Sequence, residues 1–107
     1  AGSQNFLMME KSDPLTTSIA VAILEKTLAL RNEDITVDDL PTAAELSRTF
    51  NVKQDVLKKR SRRLKEDGLI RAISYEPKRY RFEWYSLREL DEAHPLYETI
   101  QEVLDRF

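Results

Sequence analysis

The sequence predicts an α+β domain with a core of three helices, a two-stranded β-hairpin and an additional C-terminal helix. Apolar residues recur at helical spacing in three segments between residues 14 and 67. From Arg79 to Ser86, large aromatic residues alternate with charged ones, which is typical of a half-buried strand. The 107 residues include no cysteine, so one modest apolar core rather than disulfides must hold the domain together.

The domain is expected to span residues 14–86. Ala1-Gly2-Ser3 is typical of a cloning-tag remnant, and residues 1–13 as a whole are weakly patterned and expected to be disordered. Asp13 followed by Pro14 predicts the start of the first helix, over residues 14–31, with Asp13 as N-cap. Ile35-Thr36-Val37 predicts a short strand, because β-branched residues favour extended backbone.

The second helix is expected to begin at Thr42, which forms a capping box with Glu45. Asn51 follows as the turn residue, since asparagine tolerates the left-handed backbone with which helices often end. The third helix then runs over residues 53–67 and ends at Gly68.

Two strands, Leu69–Tyr75 and Arg79–Ser86, are expected to form a hairpin around a Glu76-Pro77-Lys78 turn. The alternating aromatic residues Tyr80, Phe82 and Trp84 are interpreted as the side of the hairpin that packs on the third helix. The alternative is an exposed platform on which the bases of a single strand could stack.

Residues 87–107 predict a helical extension that begins with a second capping box, Ser86 and Glu89. His94, before Pro95, is expected to cap its last part. That part is amphipathic, with apolar residues Leu96, Ile100, Val103, Leu104 and Phe107 on one face. This face either packs on the first helix of the same chain or pairs with a second copy. A homodimer through the C-terminal helix and the first helix is the favoured expectation.

The predicted order of helix, short strand, helix, turn, helix and basic hairpin is that of a winged helix-turn-helix. In such a domain one helix enters the major groove of DNA, and the hairpin contacts the backbone or minor groove beside it. The charge distribution favours this interpretation. Residues 53–81 hold eleven positive and four negative residues, a net charge of +7, whereas the rest of the chain carries −9.

Helical spacing predicts that Leu57, Ser61 and Leu64 face the core and that a cationic ridge faces solvent. Residues at the start of the third helix are candidates for reading bases, and later ones for contacting phosphates. Double-stranded DNA is the expected partner, with helix 53–67 in the major groove and hairpin residues 75–81 on the backbone or minor groove. The candidate DNA-binding residues are Thr42, Lys53, Gln54, Asp55, Lys58, Lys59, Arg62, Arg63, Lys78, Arg79 and Arg81.

Residues 40–70 resemble the helix-turn-helix of GntR-type bacterial regulators. Leu40-Pro41-Thr42, Glu45-Leu46 and Gly68-Leu69-Ile70 match that pattern without a gap, as do Val52, Leu57 and Leu64. The resemblance covers about a third of the chain and implies a winged helix that binds DNA as a transcriptional regulator. Asn51 replaces the family's glycine, Arg60-Ser61 its usual alanine and leucine, and the glycine-rich wing is missing. The resemblance therefore implies the fold more strongly than the regulatory mechanism.

Two other functions stay open at the level of sequence. One is a protein–protein interaction module whose basic ridge docks an acidic partner, and the other is the DNA-binding domain of a replication or recombination initiator. An enzyme is not expected, because the chain has one histidine, two glycines and no cysteine. Neither a metal nor an organic cofactor is expected. With no apolar stretch long enough to span a membrane, the expected location is the cytoplasm, in association with the nucleoid.

Overall fold

The computed structural model describes residues 13–85, 90 and 92–106, and this part of the chain is α+β, as predicted. It contains four α-helices and one antiparallel sheet of two strands. The elements are α1 (Pro14–Arg31), α2 (Ala43–Phe50), α3 (Gln54–Glu66), β1 (Ile70–Glu76), β2 (Arg79–Trp84) and α4 (Tyr97–Arg106). The predicted disorder of residues 1–12 and the predicted Ser86–Glu89 capping box lie outside the described residues.

The predicted start of α1 is confirmed. The Asp13 carboxylate accepts the backbone N–H groups of Leu15, at 3.2 Å, and of Thr16, at 3.5 Å. It also accepts the Thr16 hydroxyl at 2.7 Å. These bonds satisfy donors that the first turn of a helix leaves without an intrahelical partner.

The strand predicted at Ile35-Thr36-Val37 is wrong. Val37–Asp39 forms a 3₁₀ turn, and the Asp39 carboxylate accepts the Thr36 backbone N–H at 3.0 Å. This local hydrogen bond offers the backbone an alternative to a sheet, and it outweighs the β-propensity of the three residues. The chain joins the sheet later, where Thr42 forms an isolated bridge with Arg81 and the Phe82 N–H donates to the Pro41 carbonyl at 2.8 Å.

The local signals around α2 and α3 are confirmed. The Thr42 hydroxyl accepts the Glu45 N–H at 3.1 Å, and the Glu45 carboxylate accepts the Thr42 N–H at 3.0 Å, so the capping box forms as predicted. Asn51, with a φ of 54°, turns the chain between the helices. Gly68, with a φ of 76°, ends α3 in the left-handed region, where a residue without a Cβ is favoured.

The hairpin pairs Ile70 with Trp84 and Ala72 with Phe82, and the register shifts between Ser74 and Glu76. The extra residue in β1 is Tyr75, so the strand carries a bulge close to its turn. Lys78 is the second of the two central residues of the turn, after Pro77, and has a φ of 63°. Proline followed by a positive φ is the combination expected of a type II turn.

α1 is the central element of the core and contacts α3, α4 and β2. Its Ile19, Ile23 and Leu24 are fully buried, together with Leu57 of α3 and Trp84 of β2. The buried Thr27 hydroxyl donates to the Ile23 carbonyl and accepts the Trp84 backbone N–H, both at 2.8 Å, which ties the hairpin to α1. The prediction that the aromatic stripe packs on the third helix therefore needs correction, because β2 packs chiefly on α1.

The apolar face of α4 packs on α1 of the same chain, where Leu96, Ile100 and Val103 are buried. His94 lies in the turn that precedes this helix, where its ring Nδ1 accepts the Leu96 backbone N–H at 3.1 Å; the bond is made before the first helical residue, Tyr97, so His94 does not cap an N–H group of the helix itself. In the described part of the chain, no helix combines the length and the apolar character that crossing a membrane requires.

Candidate functional site

The exposed side of α3 is the first component of the candidate site. Leu57, Ser61 and Leu64 are buried, as the helical spacing predicted. The rest of the helix surface carries the exposed cations Lys58, Lys59, Arg62, Arg63 and Lys65. One helix therefore presents a packing face and a cationic face that follow directly from the spacing of its residues.

A groove of 640 Å³ lies between α3 and the hairpin; we call it the basic groove. One wall is a stripe along α3 that contains Gln54, Lys58 and Lys65, and the other is formed by the hairpin. The full lining is Thr42, Ala43, Ala44, Gln54, Lys58, Ser61, Arg62, Lys65, Ala72, Tyr75, Lys78, Arg79, Tyr80 and Phe82.

The charge of the basic groove has one sign. Five of its lining residues are cationic, and none of the described residues that line it is acidic; the cations are Lys58, Arg62, Lys65, Lys78 and Arg79. A cleft lined by one sign of charge concentrates its field and raises the local concentration of oppositely charged ligands. The groove is thus suited to a polyanion.

The other flank of α3 differs from the basic groove in carrying charges of both signs. It borders a second groove of 440 Å³, the mixed groove, whose lining includes Asp13, Glu66 and Asp67 beside its cations. Arg60 forms an ion pair with Asp13, and His94 Nε2 lies 3.3 Å from Asp67 Oδ2. Because three carboxylates line it, this flank attracts anions less than the basic groove does; in the basic groove Arg79 lies 3.7 Å from Glu76, but no described lining residue is acidic.

The amino terminus of α2 also borders the basic groove. Thr42 is the N-cap of α2, and Ala43 and Ala44 are the first two residues of the helix. The first N–H groups of a helix have no intrahelical partner and carry the positive end of the helix dipole. The backbone therefore adds to the attraction for anions that the five side chains provide.

Apart from Arg81, the predicted site residues lie on three parts of the surface: the basic groove, the mixed groove and the start of α3. Gln54, Lys58, Arg62, Lys78 and Arg79 line the basic groove, and the structure brings them together from two elements that are apart in the sequence. Lys53, the N-cap of α3, and Asp55, in its first turn, are exposed. Lys59 and Arg63 line the mixed groove instead, whereas Arg62 borders both.

Two predicted contact residues have structural partners that the sequence did not reveal. Thr42 is 9 % exposed, and its hydroxyl accepts a hydrogen bond in the α2 capping box. Arg81 is not among the residues that line the basic groove: its Nη1 donates to the Leu40 carbonyl at 2.8 Å and lies 3.7 Å from a Glu45 oxygen. The Arg81 guanidinium also stacks 4.5 Å from the centre of the Tyr75 ring. Arg81 therefore ties the hairpin to the start of α2, which differs from the predicted role as a free DNA-contacting cation.

The site also contains two tyrosines that are not among the predicted DNA-binding residues, although Tyr80 belongs to the aromatic stripe for which a single-strand platform was the alternative. Tyr75 and Tyr80 line the basic groove, with 39 % and 48 % of their surface exposed. The strict alternation of β2 suggested that Tyr80 packs inward with Phe82 and Trp84, but Tyr80 is the second residue of the strand, next to the turn, and is not part of the core. The bulge that includes Tyr75 has no signal in the sequence. A residue's distance from the turn is the one clue that could have separated Tyr80 from the other two aromatic residues.

The arrangement supplies positive charge, helix N–H groups and aromatic rings, a combination that suits noncovalent binding of an anionic ligand. Within the described ranges, no group of three or more His, Asp or Glu side chains could hold a metal ion. Comparisons of the chain with protein-family models, with functionally described proteins and with solved structures gave no match.

Proposed function

We propose that this chain is a winged helix-turn-helix domain that binds double-stranded DNA, with α3 in the major groove and the hairpin beside it. The observation that carries the proposal is the basic groove, in which five cations from two elements face one space and no described lining residue is acidic. DNA carries one negative charge per ~1.7 Å of helix axis, so a continuous cationic surface beside an exposed helix matches its shape and charge.

The order of the elements supports the same proposal. α2, the Asn51 turn and α3 form a helix-turn-helix, and β1 and β2 follow directly as a hairpin of the size expected for a wing. The contact of Thr42 with Arg81 fixes the hairpin against the start of α2. α3 and the hairpin can then contact one ligand together.

Sequence-specific regulation of transcription is the use of this surface that we propose. The first turn of α3 exposes Gln54 and Asp55 beside Lys53 and Lys58. An amide can pair with adenine and a carboxylate can accept from the N4 amino group of cytosine, whereas a lysine can donate to guanine. Side chains that read bases stand here next to those that contact phosphates, as sequence-specific binding requires.

The experiment that tests the proposal is fluorescence anisotropy of labelled random-sequence duplex DNA, titrated between about 50 and 200 mM salt. We expect the logarithm of the binding constant to fall linearly with the logarithm of the salt concentration. Lys58→Ala should reduce the magnitude of that slope by about one, because on random-sequence DNA the Lys58 ammonium neutralises one phosphate instead of reading a specific base. Its thermal stability should match the parent, since Lys58 is exposed.

Lys26→Ala is the matched control. Lys26 is an equally exposed lysine on a helix, but it borders a different surface, beside Glu25 and Asp39. The control should bind DNA as the parent does. Equal slopes for Lys58→Ala and the parent would contradict the placement of DNA along α3. If the parent binds no duplex even at about 50 mM salt, the DNA proposal is wrong and an acidic protein partner becomes the better candidate.

A further inference from the structure

The two tyrosines of the basic groove differ in how much of their ring is available to a ligand. Tyr75 stacks against the Arg81 guanidinium, whose central carbon lies 4.5 Å from the ring centre. Among the described residues, neither a cation nor another ring stacks on Tyr80, although 48 % of Tyr80 is exposed. Tyr80 therefore presents a free aromatic surface inside a cationic groove.

The neighbours of Tyr80 are suited to the backbone of a nucleic acid. Lys78 and Arg79 precede it at the tip of the hairpin, and Lys58, Arg62 and Lys65 lie across the groove on α3. An exposed ring flanked by cations is the arrangement with which proteins hold single strands, because the cations bind the phosphates and each base has a face that can stack.

A base inside a duplex is already stacked on both sides, so a side-chain ring can stack only on an unpaired or terminal base. The basic groove is large enough for such a base together with its sugar and phosphate, since 640 Å³ falls within the usual range of small-ligand sites, about 300–1,000 Å³.

We infer that the basic groove binds the unpaired strand at a junction between duplex and single-stranded DNA, with a base stacked on Tyr80. This inference rests on the proposed function, because α3 must hold the neighbouring duplex. The ligand is then a duplex with a single-stranded flank, and it binds more tightly than a blunt duplex of the same sequence.

The test compares four labelled DNAs by fluorescence anisotropy: a blunt duplex, the same duplex with a short thymidine overhang at a 5′ end, one with that overhang at a 3′ end, and a thymidine single strand alone. We expect one polarity of overhang to bind about fivefold or more tightly than the blunt duplex, given the usual strength of base–tyrosine stacking. Tyr80→Ala should abolish this preference, so that the variant binds the overhanging and the blunt duplex equally well.

Two further variants separate stacking from structural damage. Tyr80→Phe keeps the ring and should retain the preference for the overhang. Tyr85→Ala removes an even more exposed tyrosine, which is not among the residues lining the basic groove, and this variant should also retain the preference. Tyr85 is 61 % exposed and its ring lies 5.4 Å from the Arg71 guanidinium. Thermal unfolding of each variant checks that the hairpin is intact.

The possible outcomes distinguish a failure of this inference from a failure of the proposed function. If the parent binds blunt and overhanging duplexes equally, the inference is overturned while duplex binding stands. A preference that survives in Tyr80→Ala also overturns it. If the parent binds the single strand alone in a Tyr80-dependent way but no duplex, the stacking site is supported and the duplex proposal is overturned. Binding to none of these DNAs overturns both.

Discussion

For Arg81, residue type alone does not reveal whether the side chain is free to contact a ligand or is bound within the protein. In the sequence it is one of several cations in a basic hairpin, and its predicted role was to contact DNA. In the structure its side chain is 18 % exposed and bonds the Leu40 carbonyl, 41 residues earlier in the chain. A partner at that separation leaves no signal in local periodicity. The cations that stay free, Lys58 and Arg62, were predictable because helical spacing alone assigns them to the solvent side.

We predict that Arg81→Met lowers the free energy of unfolding by about 1–3 kcal/mol, because the buried end of the interaction, the Leu40 carbonyl, loses its donor. Methionine keeps much of the length of the side chain, so the effect reports the lost polar contacts rather than a cavity. The measurement is urea denaturation followed by circular dichroism. Arg79→Met is the control, since Arg79 is 68 % exposed and lies 3.7 Å from Glu76; it should change stability by no more than about 0.5 kcal/mol. Equal stabilities for the two variants would show that the contact between Arg81 and Leu40 contributes nothing.

At the scale of elements, the sequence predicted the helix ends and turns that depend on hydrogen bonds between nearby residues. The Asp13 cap, the Thr42–Glu45 capping box, the Asn51 turn and the end of α3 at Gly68 all form, because each depends on residues within one turn of each other. The strand at residues 35–37 failed for the same reason, since the Asp39 carboxylate captures the Thr36 N–H locally. The β-branched residues favour a strand, but the carboxylate three residues after Thr36 favours a capped turn more strongly.

The basic groove could not be predicted as a site from the sequence, although several of its residues were. Periodicity assigned Lys58 and Arg62 to the exposed side of α3, and composition marked Lys78 and Arg79 as the basic end of the hairpin. The distance between the two elements depends on how β2 packs on α1 through Trp84 and the Thr27 hydroxyl. Those contacts span more than fifty residues of sequence, so the groove exists only after the core has formed.

The packing face of α3 yields a prediction of its own. Leu57→Ala should lower the free energy of unfolding by about 2–5 kcal/mol, because Leu57 is fully buried and its truncation leaves a cavity beside α1. Lys59→Ala, two residues later on the exposed side, should leave stability within about 0.5 kcal/mol of the parent. Thermal or urea unfolding measures both. Similar losses in the two variants would mean that α3 is rotated from the orientation described here.

At the scale of the whole molecule, positive side chains predominate around one groove and negative side chains around another. Five positive residues of α3 and the hairpin line the basic groove, whereas Glu25, Asp39 and Glu45 border a third groove between α1 and α2. An acidic side of this kind repels DNA, so the molecule should approach a duplex with the basic groove first. The net charge of −2 hides this asymmetry, and only its distribution along the chain made it visible in the sequence.

The packing of α4 on α1 bears directly on the oligomeric state. A homodimer through the C-terminal helix and the first helix remains a prediction, but three residues of the apolar face on which it was based, Leu96, Ile100 and Val103, are covered within one chain; Leu104 is half-buried and Phe107 lies outside the described residues. Ile100 and Val103 of α4 are each 1 % exposed, and α4 packs on α1. A second copy would have to bind the outer surfaces of these helices, where Glu98 and Glu102 are exposed.

We therefore predict that Ile100→Ala lowers the free energy of unfolding by about 2–5 kcal/mol at every protein concentration, because the cavity forms inside one chain. The control, Glu102→Ala, changes an exposed residue of the same helix and should leave stability nearly unchanged. Thermal unfolding over a wide range of protein concentrations, combined with sedimentation velocity, measures both properties. A dimer joined through this face would behave differently, since association raises the unfolding temperature as concentration increases. If the parent shows that rise and Ile100→Ala loses it together with the dimer mass, α4 pairs with a second copy and the intrachain packing is only one of its two states.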